Sequence, residues 1–153
     1  MEKTKRRHRS DLICITAAGS ILLAVAAGWV LATEAPSGPW VTVDPDTVDF
    51  GNQVAQQTSK PKRVAVKNTG DSPLAVDHVD IRGDNPNAFS IVNDTCTGAH
   101  LDPDRACIVD ITFTPARTGD RSARLKVNTN APTSPDRVSL KGKGINSHDV
   151  QPF

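Results

Sequence analysis

Between residues 40 and 144 the chain consists of short runs in which apolar and polar residues alternate, and this pattern limits the possible fold more than any other feature. In the run CIVDITFTP, the side chains of Cys107, Val109, Ile111 and Phe113 share one side. A period of two indicates half-buried strands, and almost no segment here has the 3.6-residue period of an amphipathic helix. We therefore predict an all-β domain.

Clusters of turn-forming residues separate these runs. The other runs are VTVDPDTVDF, RVAVKN, LAVDHVDIR, NAFSIV, RSARLKVN and RVSLKG, and the turns include NTGDSP, GDNPN, ARTGD and NAPTSPD. About seven short strands with turns at this spacing are typical of an immunoglobulin-like fold. We predict a seven-stranded immunoglobulin-like sandwich over residues 40–145.

One run changes phase along its length. In LAVDHVDIR the apolar set begins with Leu74 and Val76 but resumes with Val79 and Ile81. A β-bulge, or a crossing between two sheets, would restore the inward facing of the second pair. We interpret His78, at the phase change, as part of this irregularity rather than as a catalytic residue.

The N-terminal region has the charge and length of a membrane anchor. Residues 12–32 contain no charged side chain, and about 20 helical residues span the ~30 Å hydrocarbon core of a bilayer. Basic residues precede this run, namely Lys3, Lys5, Arg6, Arg7 and Arg9. The positive-inside rule then places the N-terminus in the cytoplasm.

These observations predict a single-pass protein of the cell membrane, with its domain on the extracytoplasmic side. We expect a cytoplasmic basic segment at residues 1–11, a transmembrane helix that acts as a signal anchor at 12–32, a linker at 33–39 and a disordered tail at 146–153. Cleavage after Ala32, which follows Val30 and Leu31, remains an alternative and would release a secreted domain. The apolar run is longer than the core of a typical signal peptide, which favours the retained anchor.

An extracytoplasmic domain lies in an oxidising compartment, where two cysteines usually pair. We predict an intramolecular disulfide between Cys96 and Cys107. The spacing of these residues does not fit a CxxC redox pair, and His78, His100 and His148 lack the spacing of zinc ligands. We predict no metal site and no cofactor.

The charge balance argues against nucleic-acid binding, and the absence of catalytic motifs argues against enzymatic activity. The formal net charge is +1, and the first 33 residues contain five basic and two acidic residues, so the rest of the chain is slightly acidic. This balance does not favour nucleic-acid binding. The chain contains no GxSxG, no HExxH and no glycine-rich phosphate loop, and we expect no enzymatic activity.

Two clusters of charged residues allow a binding interpretation. Asp44, Asp46 and Asp49 lack the ligand and glycine spacing of a known calcium loop, which favours a role in turn solvation. Four basic residues fall on outward strand positions: Arg63, Lys67, Arg124 and Lys126. They could form a basic face for anionic envelope glycans or lipid headgroups, although solvated strand faces are the usual role of such residues.

Several short motifs, in this order, resemble the abnormal-spindle and hydin type of immunoglobulin-like domain, whose bacterial members include choice-of-anchor D domains. The motifs are Asp49-Phe50-Gly51, Val66-Lys67-Asn68-Thr69-Gly70 before Pro73-Leu74, Ala88-Phe89-Ser90-Ile91, Cys107 leading into Phe113-Thr114-Pro115, Gly119, and the closing Leu140-Lys141-Gly142-Lys143-Gly144. The resemblance implies a seven-stranded sandwich related in shape to major sperm protein and pilus-chaperone domains. It also implies binding or scaffolding rather than enzymatic activity.

Together these inferences predict a non-enzymatic membrane protein that presents its sandwich to another envelope component. The expected partner is an envelope protein, bound through a sheet face or an exposed edge strand. A secretion or assembly chaperone that donates a strand to its partner is the alternative. Architecture does not identify the partner, because folds of this kind host many functions.

Overall fold

A computed structural model of the chain describes residues 37–149. The predicted basic segment and the predicted transmembrane helix at residues 12–32 lie outside the described residues. Within residues 37–149, no helix has the length and apolar character needed to span a bilayer.

The described residues form an all-β structure with two 3₁₀ turns. The strands are β1 (Val41–Asp44), β2 (Thr47–Val54), β3 (Lys62–Asn68), β4 (Leu74–Arg82), β5 (Phe89–Asp94), β6 (His100–Leu101), β7 (Ala106–Phe113), β8 (Gly119–Thr129) and β9 (Asp136–Ile145). The 3₁₀ turns are η1 (Pro86–Ala88) and η2 (Ser147–Asp149). The predicted tail at 146–153 therefore includes one ordered turn.

The strands form two sheets. The four-stranded sheet has the order β1-β3-β7-β5, and the five-stranded sheet has the order β2-β9-β8-β4-β6. Strand β2 pairs with β9 in parallel, whereas the other pairs are antiparallel. Each sheet turns one row of apolar side chains toward the other, which confirms the predicted all-β sandwich.

The described residues contain nine strands rather than the predicted seven. The run VTVDPDTVDF, expected to form one strand, divides at Pro45 into β1 and β2, and these belong to different sheets. Proline has no N–H for a ladder hydrogen bond, so a run through a sheet readily ends there. The ninth strand is the two-residue β6, which lies in a segment without an alternating run.

The core lies between the sheets and contains a cluster of three phenylalanines. The ring centroids of Phe89 and Phe113 are 4.9 Å apart, and Phe50 lies 5.6 Å from Phe113 and 5.8 Å from Phe89. Gly142 is buried beside this cluster. The position has no room for a side chain, because a Cβ atom there would lie 2.6 Å from the Phe113 ring. These residues join β2, β5, β7 and β9, and so connect the two sheets.

The phase change in LAVDHVDIR is a β-bulge, as predicted. The register of β4 with β8 shifts between Val76 and His78. After the bulge, Val79 and Ile81 pack against the core again. His78 is exposed, and its Nδ1 atom lies 2.8 Å from a carboxylate oxygen of Asp77.

Candidate functional site

Cys96 and Cys107 form the predicted disulfide. Cys96 follows β5 and Cys107 lies near the start of β7, and both side chains are buried. The chain between them leaves the four-stranded sheet and forms β6 against β4 of the five-stranded sheet. The disulfide therefore closes the base of a segment that connects the two sheets.

That segment covers part of the free edge of β4. The Gly98 N–H donates to the Val76 carbonyl at 2.9 Å, and the Val76 N–H donates to the Ala99 carbonyl at 2.9 Å. The Val79 N–H donates to the Thr97 hydroxyl at 3.2 Å. An edge covered in this way is less available to another strand. The contacts thus give the disulfide a structural role.

Asp94 holds the turn that carries Cys96. Its carboxylate accepts hydrogen bonds from the Cys96 N–H at 2.7 Å, the Thr97 N–H at 3.0 Å and the Thr97 hydroxyl at 2.6 Å. Partial burial raises the pKa of Asp94, but the hydrogen bonds from Thr97 and Cys96 outweigh it and leave the pKa below its ordinary value. The charged carboxylate is therefore part of the folded turn.

Asn68 is fully buried and joins three parts of the chain. Its Nδ2 atom donates to the Ser72 carbonyl at 2.8 Å and to the Leu101 carbonyl at 2.9 Å. Its Oδ1 atom accepts a hydrogen bond from the Gly70 N–H at 2.9 Å. The side chain thus ties the end of β3 to the following turn and to β6, which identifies a structural role for this residue of the KNTG motif.

Asp49, one of the aspartates considered for calcium, is held by neighbouring groups of the protein. The Asp49 carboxylate accepts a hydrogen bond from the Gly51 N–H at 2.8 Å and lies 3.3 Å from the Lys141 ammonium. The Gly51 hydrogen bond and, after it, Lys141 lower the pKa of Asp49. Among residues 37–149, no group of three or more His, Cys, Asp or Glu side chains lies close enough to hold a metal ion.

Each longer edge strand of the sandwich carries an irregularity. Strand β5 loses its register with β7 between Ile91 and Asn93, at the exposed Val92. Strand β2 loses its register with β9 between Asp49 and Asn52. Bulges and short edge strands obstruct the addition of a further strand. The two longer edges are therefore poorly suited to the addition of another strand.

The outer face of the five-stranded sheet carries an array of cations, which we call the basic face. It consists of Arg82, Arg124, Lys126, Arg137, Lys141 and Lys143. These residues belong to three adjacent strands, and five of the six side chains are exposed, whereas Lys126 is half-buried. Three aspartates share the face: Asp49, Asp80 and Asp120. The remaining described residues contain more acidic than basic side chains, so positive charge is concentrated on this face.

The structure separates the four basic residues that the sequence singled out. Arg124 and Lys126 lie on the basic face, but Arg63 and Lys67 lie on β3, on the outer face of the other sheet. There Arg63 lies 2.9 Å from Asp110, and Lys67 lies 2.9 Å from Asp104. Strand alternation predicted that all four point outward, yet it does not determine which sheet a strand joins. The four residues do not form one surface.

At the centre of the basic face, like charges lie directly opposite one another. Arg82 on β4 is the register partner of Arg124 on β8, and Lys126 on β8 is the partner of Arg137 on β9. Among the described residues, Arg124, Lys126 and Arg137 form no salt bridge. Sequence reasoning missed Arg82 and Arg137, because only the register of distant strands brings them beside Arg124 and Lys126.

Asp80 is the acidic residue that lies beside Arg82 and Lys126 at the centre of the basic face. Its carboxylate pairs with the guanidinium of Arg82 and is the register partner of Lys126. The hydrogen bond from Arg82 lowers the pKa of Asp80, and the nearby Lys126 and His78 lower it further. The group of Arg82, Arg124, Lys126 and Arg137 has four cations and this one carboxylate beside it, so it keeps a net positive charge.

Beside this cluster, the bulge of β2 leaves a shallow depression of about 410 Å³ on the same face. Asp49, Asn52, Lys141 and Lys143 are among its lining residues. Most of its lining residues are charged or polar, and it is open to solvent. The depression extends the basic face toward the edge of the sheet and adds hydrogen-bonding groups to it.

Two packed sheets of mostly antiparallel strands define an immunoglobulin-like β-sandwich. A model of the HYDIN/CFA65/VesB-like Ig-like domain matches residues 39–144, and the chain therefore belongs to this family. The match confirms the resemblance that the short motifs indicated. No curated protein matches the chain.

Solved structures share the fold at low sequence identity. PapD-like domain 7 of human CEP192, an ASH domain, has a TM-score of 0.55 at 19% identity, and the match covers 81% of this chain and 98% of that domain. A protein from Porphyromonas gingivalis W83 has a TM-score of 0.55 at 19% identity, with 73% of this chain and 50% of that protein covered. The secreted serine protease VesC from Vibrio cholerae has a TM-score of 0.50 at 18% identity, with 63% of this chain and 21% of VesC covered. At these identities the similarity shows the fold alone.

Proposed function

We propose that the chain is a non-enzymatic, single-pass membrane protein that presents its sandwich, on the extracytoplasmic side, to another envelope protein. The observation that carries this proposal is the basic face, an exposed surface of the five-stranded sheet. The segment that connects this sheet to the other one is closed by a disulfide. Such a surface is suited to binding, because its side chains project from regular strands rather than from mobile loops.

The proposed location rests on two independent features. Disulfides persist in oxidising compartments, and the Cys96–Cys107 pair is consistent with an extracytoplasmic domain. The uncharged run at residues 12–32, with basic residues before it, supports a retained anchor whose N-terminus is cytoplasmic. The mass of the mature protein tests the anchor, because a chain that begins at Thr33 would refute it.

The irregular edges favour binding through a face over strand donation. Besides the two bulges, the Lys62 ammonium donates to the Asp49 carbonyl of β2 at 2.6 Å, so that this acceptor is already occupied. The remaining edge strand of the four-stranded sheet, β1, has only four residues. We therefore prefer a face-binding module to the chaperone-like alternative.

Crosslinking in intact cells tests the proposed binding function. A photo-crosslinking residue is introduced at single exposed positions of the full-length chain, and the captured proteins are identified by mass spectrometry. We expect one envelope protein to be captured repeatedly from neighbouring positions of a single surface. If no position captures an envelope protein, the proposed function is wrong.

A further inference from the structure

Four cations form a compact group at the centre of the basic face, and we call this group the cationic quartet. It consists of Arg82, Arg124, Lys126 and Arg137. Residues directly opposite across a ladder have Cβ atoms about 5 Å apart, and alternate residues of one strand are about 7 Å apart. The four side chains therefore occupy adjacent positions on three neighbouring strands.

The quartet works against the stability of the sheet. Like charges directly opposite in a ladder are destabilising, and the quartet contains two such pairs, Arg82 with Arg124 and Lys126 with Arg137. If these side chains served only to keep the sheet face in contact with water, opposite charges in each pair would make the sheet more stable. A bound anion would remove the repulsion, and the arrangement therefore indicates a ligand with negative charge.

The side chains of the basic face limit the class of ligand that could bind to it. Three members of the quartet are arginines, whose planar guanidinium groups bind carboxylates through two parallel hydrogen bonds. Ser122, Ser139 and Asn128 lie next to the quartet on the same face and add neutral hydrogen-bonding groups. The face has no exposed Trp, Phe, Leu, Ile or Val side chain within the described residues. It thus lacks the aromatic side chains on which bases stack and the apolar side chains that enter a bilayer.

We propose that the cationic quartet binds an acidic, extended segment of the partner protein, an inference that rests on the proposed function. Acidic residues at alternate positions of an extended segment repeat every ~7 Å, which matches the spacing of Arg124 and Lys126 along β8. Such a segment lies across the face with its carboxylates toward the arginines, and Asp80 keeps Arg82 oriented.

A peptide-binding experiment tests whether the protein binds acidic segments. Full-length protein in a neutral detergent is titrated against a fluorescent peptide of alternating glutamate and serine, with a peptide of alternating lysine and serine as the control. We expect the acidic peptide alone to bind, with an affinity that falls as the salt concentration rises. The double variant Arg124→Gln/Lys126→Gln should bind about tenfold more weakly or worse.

The melting temperature of the same double variant is a second measurement. Removing the like-charge pairs should leave the melting temperature of Arg124→Gln/Lys126→Gln equal to or higher than that of the wild type, so that loss of binding cannot be attributed to unfolding. The matched control is Arg63→Gln/Lys67→Gln, which removes two cations from the opposite sheet and should bind the acidic peptide as the wild type does.

Three results would overturn the inference. They are failure of the acidic peptide to bind, an equal loss of binding in the control variant, and binding of phosphatidylglycerol vesicles or polyphosphate by a wild-type protein that ignores the acidic peptide. The last result would identify the quartet as a site for phosphate groups instead of carboxylates.

Crosslinking separates the failure of this inference from the failure of the proposed function. The crosslinker is placed at Ser139, an exposed position beside Arg124 that leaves the quartet intact, or at Val92 on the edge of the other sheet. Capture of an envelope protein from Ser139, suppressed by the acidic peptide, supports the inference. Capture from Val92 but not from Ser139 refutes binding by the quartet and leaves the proposed function intact, whereas capture from no exposed position refutes both.

Discussion

A single buried amide, that of Asn68, holds three segments of the chain together. Its side chain makes three hydrogen bonds to backbone groups that belong to Gly70, Ser72 and Leu101. The KNTG motif, read alone, indicates only a turn after β3. The burial of Asn68 could not be predicted from it, because the Leu101 carbonyl comes from a segment 33 residues away.

We predict that Asn68→Ala lowers the free energy of unfolding by about 2–4 kcal/mol. The substitution leaves three backbone groups without the partner that the side chain supplied, and one of these contacts is fully buried. Chemical denaturation of the full-length protein measures the change. Asn52→Ala, at an exposed position of β2, is the control and should change stability by less than about 0.5 kcal/mol.

Asp94 gives the stability of the fold a dependence on pH. Its pKa in the folded state is lower than the ordinary value of 3.8, so its contribution is present above that pH and is lost as the pH falls through the lowered pKa. We predict that Asp94→Asn destabilises the protein by about 1 kcal/mol at neutral pH, a small value because the side chain is exposed.

Denaturation of both proteins as a function of pH checks this prediction. The difference in stability should remain constant from neutral pH to about pH 5 and should shrink as the pH falls below about 3.8. Asp46→Asn, whose carboxylate accepts no hydrogen bond from the described residues, is the control. A difference that persists unchanged at pH 2 would contradict the assigned role of the charge.

At the scale of the strands, periodicity predicted which side chains face the core, but pairing needed the structure. The inward phase of Cys107, Val109, Ile111 and Phe113 and the bulge before His78 are both present. The neighbours of each strand were not predictable, because alternation repeats on every strand and carries no information on register. The cationic quartet depends on that register, and only two of its members were therefore recognised in the sequence.

The segment between β5 and β7 shows how a covalent bond shapes an element. It leaves one sheet, covers an edge of the other as β6, and returns within the loop that Cys96 and Cys107 close. We predict that replacing both cysteines with alanine lowers the free energy of unfolding by about 2–5 kcal/mol, because the unfolded chain regains the freedom of that loop. Thermal denaturation in the absence of reductant measures the loss.

Partner binding at low temperature should survive this double substitution, because neither cysteine lies on the basic face. Thiol labelling of the denatured, unreduced wild-type protein is the direct check on the pairing. Cys14, the third cysteine of the chain, should react at once, whereas Cys96 and Cys107 should react only after reduction. Immediate labelling of all three cysteines would refute the disulfide and remove one support for the extracytoplasmic location.

At the scale of the whole molecule, the start of the sandwich includes residues that the sequence assigned to a linker. The Gly38 N–H donates to the Asp71 carboxylate at 2.6 Å, and the Asp71 N–H donates to the Gly38 carbonyl at 3.2 Å. Gly70 permits this approach, since a Cβ atom there would lie 2.1 Å from the Gly38 carbonyl oxygen. Turn formers at positions 36–39 indicate a linker in the sequence, and the distant Asp71 that orders Gly38 is not visible in the local pattern.

We predict that a polypeptide of residues 37–149 folds alone into a soluble, monomeric β domain with one cooperative unfolding transition. Its two sheets enclose a continuous core of residues that all lie within this range. A polypeptide that begins at Trp40 should also fold but should be about 1–2 kcal/mol less stable, because it lacks the two hydrogen bonds between Gly38 and Asp71. Circular dichroism and denaturation of the two polypeptides measure both effects. Equal stability would show that Gly38 belongs to the linker after all, and the absence of a cooperative transition in the longer polypeptide would refute an autonomous sandwich.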